Sequence, residues 1–96
     1  MIGIYAHFTI QPGKQVEFEA FMTEFMTKVK ATEPGVTVYQ LCKNAKAEDE
    51  YFMLELYADQ AAFDAHGKTE HMAELGGKIG QFLAQPPKIL RGPAIF

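Results

Sequence analysis

The chain begins with a regular alternation of apolar and polar positions. Apolar side chains occupy every even position from Ile2 to Ile10. A period of two over this length predicts a β-strand with one apolar face. Gln11-Pro12-Gly13 then ends the strand, because proline donates no ladder hydrogen bond and glycine permits a turn.

The pattern changes to a helical period in the next segment. From Lys14 to Ala31, apolar residues recur every three or four positions, which predicts an amphipathic helix packed on a sheet. Glu33-Pro34-Gly35 ends this helix, since the residue before proline is steered away from helical angles. The apolar positions are Phe18, Phe21, Met22, Phe25, Met26 and Val29.

The rest of the chain predicts three more strands and two shorter helices. Asp59 is a candidate N-cap for a short helix ending at Gly67, and Thr69 is a candidate cap for a second helix that ends before Pro86-Pro87. Pro93 would confine the last strand to a sheet edge. The strands are Val36 to Cys42, Tyr51 to Tyr57 and Lys88 to Ile95.

With the two shorter helices counted as one helical segment, the order of elements is strand, helix, strand, strand, helix, strand. It is typical of a ferredoxin-like α+β fold, the split β-α-β-β-α-β pattern with a four-stranded antiparallel sheet. Ninety-six residues fit a single domain spanning 1–96.

The two helical segments cover only one face of such a sheet. All four tyrosines, Tyr5, Tyr39, Tyr51 and Tyr57, occupy odd positions on predicted strands, which suggests one shared face. With the apolar Val36, Val38 and Met53, they predict that a second copy covers this face in a homodimer. The alternative is a face in contact with solvent.

Charge and cysteine content exclude several classes of protein. The formal net charge is -3 and the cations are scattered, which argues against nucleic-acid binding. One cysteine, Cys42, makes no internal disulfide, and no segment has the character of a signal peptide or a membrane span. We therefore expect a soluble cytoplasmic protein.

Several segments together resemble the antibiotic biosynthesis monooxygenase family of dimeric α/β-barrel proteins, over essentially the whole chain. The resemblance implies a dimeric barrel and a small-molecule enzyme. Members include cofactor-independent oxygenases of polycyclic phenols or quinols, heme-degrading oxygenases, and isomerases of small phosphorylated sugars. The segments are Gln11-Pro12-Gly13-Lys14, Glu33-Pro34-Gly35-Val36-Thr37-Val38-Tyr39, Leu54-Glu55-Leu56-Tyr57 and Ala65-His66-Gly67-Lys68-Thr69-Glu70-His71-Met72.

The heme-degrading branch is disfavoured. Its asparagine, tryptophan and histidine fall at Ala6, His66 and Gly76, and the chain contains no tryptophan. We also expect no metal site, because neither the histidine spacing nor one cysteine gives a zinc-ligand pattern.

His66 and His71 are the candidate catalytic residues. In one unbroken helix their side chains would point about 140° apart, but a break at Gly67 could turn both imidazoles toward one site. There they would serve as general acid and base for a phenol or hydroxy-ketone. Otherwise His66 bonds a carbonyl at a helix end and His71 lies on the surface.

Glu55 is a carboxylate in an otherwise apolar strand, so burial would raise its pKa and suit proton transfer. Glu55 and Tyr57 are assigned to the substrate pocket. Both occupy odd positions, as all the tyrosines do, so they could instead lie at the dimer face. His7 also occupies an odd position and is expected at the dimer interface. Cys42 is expected to be a buried side chain that only fills space in the core.

These inferences predict a small dimeric monooxygenase that needs no cofactor and binds a phenolic or quinol-type molecule. Phe21, Phe25 and Phe63 would line its apolar pocket. The alternatives are an isomerase of a small hydroxy-ketone or phosphorylated sugar, and a non-catalytic module that only binds a small molecule.

Overall fold

The computed structural model describes all 96 residues and confirms the ferredoxin-like α+β fold. The antiparallel sheet has the strand order β2-β3-β1-β4 and is open in the single chain. Its strands are β1 (Ile2–Thr9), β2 (Val36–Lys43), β3 (Glu50–Tyr57) and β4 (Lys88–Pro93). The helices are α1 (Gln15–Thr32), α2 (Gln60–Gly67) and α3 (Glu70–Lys78), the last followed by a 3₁₀ turn (Ile79–Gln81).

The predicted caps and breaks explain most element boundaries. The Asp59 carboxylate accepts from the Ala62 amide at 2.8 Å, and the Thr69 hydroxyl accepts from the Met72 amide at 3.2 Å. The predicted final helix stops as an α-helix at Lys78, within a glycine-rich stretch that disfavours helix. β4 lies at a sheet edge, as Pro93 predicted.

The core lies between the three helices and one face of the sheet. From β1, Ala6 and Phe8 contribute to it, and they pair with Met53 and Tyr51 of β3. α1 contributes its buried stripe, Phe18, Met22, Phe25 and Val29. No helix is long and apolar enough to cross a membrane.

The prediction that the four tyrosines share the sheet face away from the helices is wrong. Tyr39, Tyr51 and Tyr57 are buried under the helices, whereas Tyr5 is 39% exposed on the opposite face. The cause is strand register, because Ile4 of β1 pairs with Glu55 of β3, so even positions on β1 share a face with odd positions on β3.

Met53 and Val36 also differ from the expectation, since Met53 is a core residue and Val36 packs against the core. The sheet face away from the helices, here called the outer face, is nevertheless apolar. Its apolar side chains are Tyr5, Val38, Phe52, Leu54, Leu56 and Leu90. Val38, Leu54 and Leu90 are exposed, and Tyr5 stacks on Phe52 with ring centroids 5.8 Å apart. His7 lies on this face, as predicted, with Nε2 2.9 Å from Glu50 Oε1.

Candidate functional site

A cavity of about 420 Å³ lies between the sheet and helices α2 and α3. Its wall is predominantly apolar, with side chains from all four strands and all three helices. Five lining residues carry polar atoms: Tyr39, Glu55, Tyr57, His66 and Arg91. This composition suits a ligand with a large apolar body and few polar groups.

His66 and His71 are joined by a carboxylate. Nδ1 of His66 lies 2.8 Å from Oε1 of Glu33, and Nε2 of His71 lies 2.5 Å from Oε2 of the same residue. The Tyr39 hydroxyl lies 3.4 Å from Nε2 of His66. The side chains of Glu33, His66 and His71 are at most 12% exposed, so the network is shielded from solvent.

The break between α2 and α3 positions the two histidines. α2 ends at Gly67 and α3 starts at Glu70, and Thr69 joins them. The Thr69 hydroxyl donates to the His66 carbonyl at 2.9 Å and accepts from the Met72 amide. The chain therefore changes direction after His66, and both imidazoles approach one carboxylate from different helices.

Glu33 caps the C-terminal end of α1, where its amide donates to the Val29 carbonyl. Two residues later, Gly35 allows close approach of α2, since a Cβ at Gly35 would lie 2.5 Å from the Cβ of Ala62. The sequence pattern placed Glu33 only at a helix end. A signal was present, because a carboxylate at a helix C-terminus is opposed by the helix dipole and needs a compensating donor.

Glu55 and Tyr57 face the cavity and form a pair. The Tyr57 hydroxyl donates to Oε1 of Glu55 at 2.5 Å. Burial raises the pKa of the Glu55 carboxyl, and the hydrogen bond from Tyr57 and the electrostatic effect of the nearby His66 oppose that rise. Burial also raises the pKa of Tyr57 and of Tyr39, so both phenols keep their protons.

The predicted pocket phenylalanines are divided between two places. Phe63 lines the cavity, but Phe21 and Phe25 do not. They line a separate cleft of about 70 Å³ that also holds His71. α1 turns these two side chains toward α3 and the segment after it. Phe25 lies edge-on to His71 of α3, and Phe21 packs on Phe82, which follows the 3₁₀ turn. The two histidines thus share a carboxylate and not a cavity.

The fold brings together a donor set that sequence spacing did not reveal. One ligand atom from each of Glu33, His66 and His71 lies within 4.8 Å of the others. Two imidazoles and a carboxylate are donors that zinc or iron accepts. The same nitrogen and oxygen atoms face one another at hydrogen-bonding distance, so an ion could enter only by replacing both hydrogen bonds.

Arg91 supplies the cationic group of the cavity. Its guanidinium lies 5.2 Å from the centre of the Phe63 ring, and no carboxylate lies within salt-bridge distance of it. Arg91 and Glu55 both pair with Ile4, from opposite sides. They therefore lie on the same sheet face with one strand between them, about 10 Å apart along the sheet.

A larger but more polar groove, about 540 Å³, lies between α1 and β2. There Glu19 accepts a short hydrogen bond from the Tyr51 hydroxyl and pairs with Lys43 at 3.1 Å. These contacts lower the pKa of Glu19. They are characteristic of a surface ion pair, and we assign no chemistry to this groove.

Comparison with known proteins agrees with the fold. The family model of the antibiotic biosynthesis monooxygenases matches residues 1–76. YcnE of Bacillus subtilis (strain 168), named as a candidate monooxygenase, is 29% identical over 91 residues, which are 95% of each chain.

Solved structures also agree with this fold. A candidate antibiotic biosynthesis monooxygenase from Caulobacter crescentus CB15 is 39% identical, with a TM-score of 0.93 over 99% of this chain and 90% of that chain. Rv0793 from Mycobacterium tuberculosis, at 21% identity, shares the fold with a TM-score of 0.89 over 99% of this chain and 95% of that one. This chain therefore belongs to the antibiotic biosynthesis monooxygenase family.

Proposed function

We propose that the protein is a cofactor-independent monooxygenase acting on a phenolic or quinol-type small molecule. The observation that carries the proposal is the position of His66, a buried imidazole that reaches an apolar cavity and is oriented by a carboxylate. Such an imidazole can remove a phenolic proton where little water competes.

The reaction balances without an added reductant. Loss of the phenolic proton makes the ring electron-rich enough to reduce O₂, and a peroxide forms at a ring carbon that bears hydrogen. Loss of that hydrogen and cleavage of the O–O bond then give a quinone carbonyl and water. The substrate supplies both electron pairs, and one oxygen atom of O₂ enters the product.

His66 is assigned as the base in this scheme. Its Nε2 lies 3.4 Å from the Tyr39 hydroxyl, a long hydrogen bond that a substrate hydroxyl could replace. Glu55 has a raised pKa, so it holds a proton to higher pH than an ordinary carboxyl and can donate it to the developing peroxide. The resulting Glu55 carboxylate then takes up the proton that leaves the ring carbon, which restores its protonated form. The apolar wall would hold the rings.

The alternative function is isomerisation of a small hydroxy-ketone or phosphorylated sugar. Arg91 supports it, because an unpaired guanidinium at the cavity suits an anionic group. His66 and Glu55 could then move the proton of an enediol. The apolar wall favours the phenolic substrate, since a sugar would leave hydroxyl groups without partners.

We further propose that the protein is a cytoplasmic homodimer. The outer face exposes Val38, Leu54 and Leu90 on an open sheet that the helices leave uncovered. A second copy would bury these side chains sheet against sheet. The free Cys42 fits a reducing compartment.

The proposal is tested by oxygen uptake of the purified, metal-free protein with a panel of phenols and quinols. We expect uptake with at least one polycyclic member, and a fall in kcat of about 10²–10⁴-fold in His66→Gln. His7→Gln is the matched control, since His7 lies on the other side of the sheet. Binding of a panel member without oxygen uptake would instead favour a non-catalytic module.

A further inference from the structure

The contacts of Glu33 restrict the positions of the protons on both histidines. An ionised carboxylate only accepts hydrogen bonds. Each of its oxygen atoms faces one imidazole nitrogen, at 2.8 Å for His66 and 2.5 Å for His71. Nδ1 of His66 and Nε2 of His71 must therefore each carry a hydrogen.

A neutral imidazole has only one N–H group, so this assignment leaves Nε2 of His66 without a proton. Tyr39 fits the assignment, because its hydroxyl faces that nitrogen and can donate to it. No buried side-chain nitrogen or oxygen atom lacks a hydrogen-bond partner. One arrangement of protons therefore satisfies Tyr39, His66, Glu33 and His71 together.

We propose that Glu33 is a positioning residue that fixes the tautomer of His66, and that His71 in turn holds the Glu33 carboxylate in place. This inference rests on the proposed function for its catalytic meaning. It divides the roles of the two histidines: His66 keeps a bare nitrogen at the cavity, whereas His71 acts through Glu33 and does not contact the substrate.

The carboxylate also has a role during the reaction. When Nε2 of His66 takes the phenolic proton, the ring becomes an imidazolium whose positive charge lies against the Glu33 carboxylate. A carboxylate in this position both orients an imidazole and stabilises its charged form. The proton on Nε2 returns to the departing hydroxide to form water, and the Nδ1 proton remains in its bond to Glu33.

The tautomers can be measured in the resting protein by long-range ¹H–¹⁵N NMR of the imidazoles. We expect His66 to be protonated on Nδ1 with an unprotonated Nε2, and His71 to be protonated on Nε2. In Glu33→Gln the amide offers one acceptor oxygen for two donors, so at least one imidazole should change its pattern. Glu48→Gln, an exposed residue between β2 and β3, should change neither.

Observation of His66 protonated on Nε2 in the wild-type protein would overturn the proposal. So would tautomers that stay unchanged in folded Glu33→Gln. This measurement needs no substrate, so it decides the role of Glu33 even if oxygenation is not found. Stoichiometric uptake of Zn²⁺ with loss of both N–H signals would replace the proposal by a metal site.

Kinetic measurements distinguish a positioning role of Glu33 from a purely structural one. With an active phenol, we expect Glu33→Gln to lower kcat about 10–100-fold and leave KM within about threefold. In a His66→Gln background the same change should have no further effect, because the residue acts through His66. An equal loss in both backgrounds would show that Glu33 only supports the fold.

Discussion

Oε1 of Glu33 lies 2.8 Å from Nδ1 of His66, although the two residues are 33 positions apart in the chain. The contact joins the end of α1 to the end of α2, and His71 extends it to α3. A single carboxylate thus connects all three helices beside the cavity. The orientation of His66 and the packing of the three helices therefore depend on the same side chain.

Thr69 tests whether the turn between α2 and α3 supports the site. Thr69→Ala removes the cap of α3 and the bond to the His66 carbonyl, so we expect a loss of about 1–2 kcal/mol in unfolding free energy together with reduced turnover. Asp59→Ala is the control, since it removes the cap of α2 at about 1 kcal/mol without touching either histidine.

Urea unfolding and oxygen uptake on the same preparations make this comparison. If the two variants lost stability equally and kept the same kcat, the Thr69 turn would have no role in orienting His66.

Gly35 tests the close approach of α2 to the strand that follows Glu33. Gly35→Ala puts a Cβ 2.5 Å from the Cβ of Ala62, so α2 must shift, and we expect a destabilisation of about 1–3 kcal/mol. Gly67→Ala meets no atom within 4 Å and should be neutral or stabilising by about 0.5–1 kcal/mol. Thermal unfolding of both variants checks the difference, and a Gly35→Ala protein as stable as wild type would contradict it.

Several features could be predicted locally. Asp59 and Thr69 were identifiable as caps because capping depends on residues three positions away. The sheet face on which Tyr51 and Tyr57 lie could not be predicted. Odd and even positions can be assigned to a face only when the register between β1 and β3 is known. The link between Glu33 and the histidines was also hidden, since it joins residues more than 30 positions apart.

Glu55 gives a pH-dependent stability. Burial raises its pKa in the folded state above the ordinary value of 4.5, so ionisation favours unfolding. Below the unfolded pKa both states hold the proton and no penalty exists, and the penalty grows as pH rises through the folded pKa. Glu55→Gln keeps an acceptor for Tyr57 but cannot ionise, so it should gain stability over wild type as pH rises.

Urea titrations at about pH 4 and about pH 8 measure this difference. We expect the gain at the higher pH to exceed that at the lower pH. A gain that is larger at the lower pH would show that the carboxylate is stabilised by its surroundings.

Leu54 tests the proposed dimer. It lies on the outer face and is 41% exposed in the single chain. Leu54→Glu would place a charge within a sheet-to-sheet interface. We therefore expect the dissociation constant (Kd) of the dimer to rise at least tenfold. Sedimentation equilibrium measures the change, with Glu48→Ala as a control on an exposed loop. A wild-type protein that sediments as a monomer would refute the proposal.

The central claim is that the cavity beside His66 supports direct reaction of a phenolic substrate with oxygen. Its most direct test is isotope incorporation by the metal-free protein under ¹⁸O₂, with the product analysed by mass spectrometry. We predict one ¹⁸O atom per quinone product with wild-type protein, and greatly reduced formation of labelled product with His66→Gln. Product that takes its new oxygen from water, or solvent deuterium in the substrate carbon without oxygen consumption, would contradict the claim.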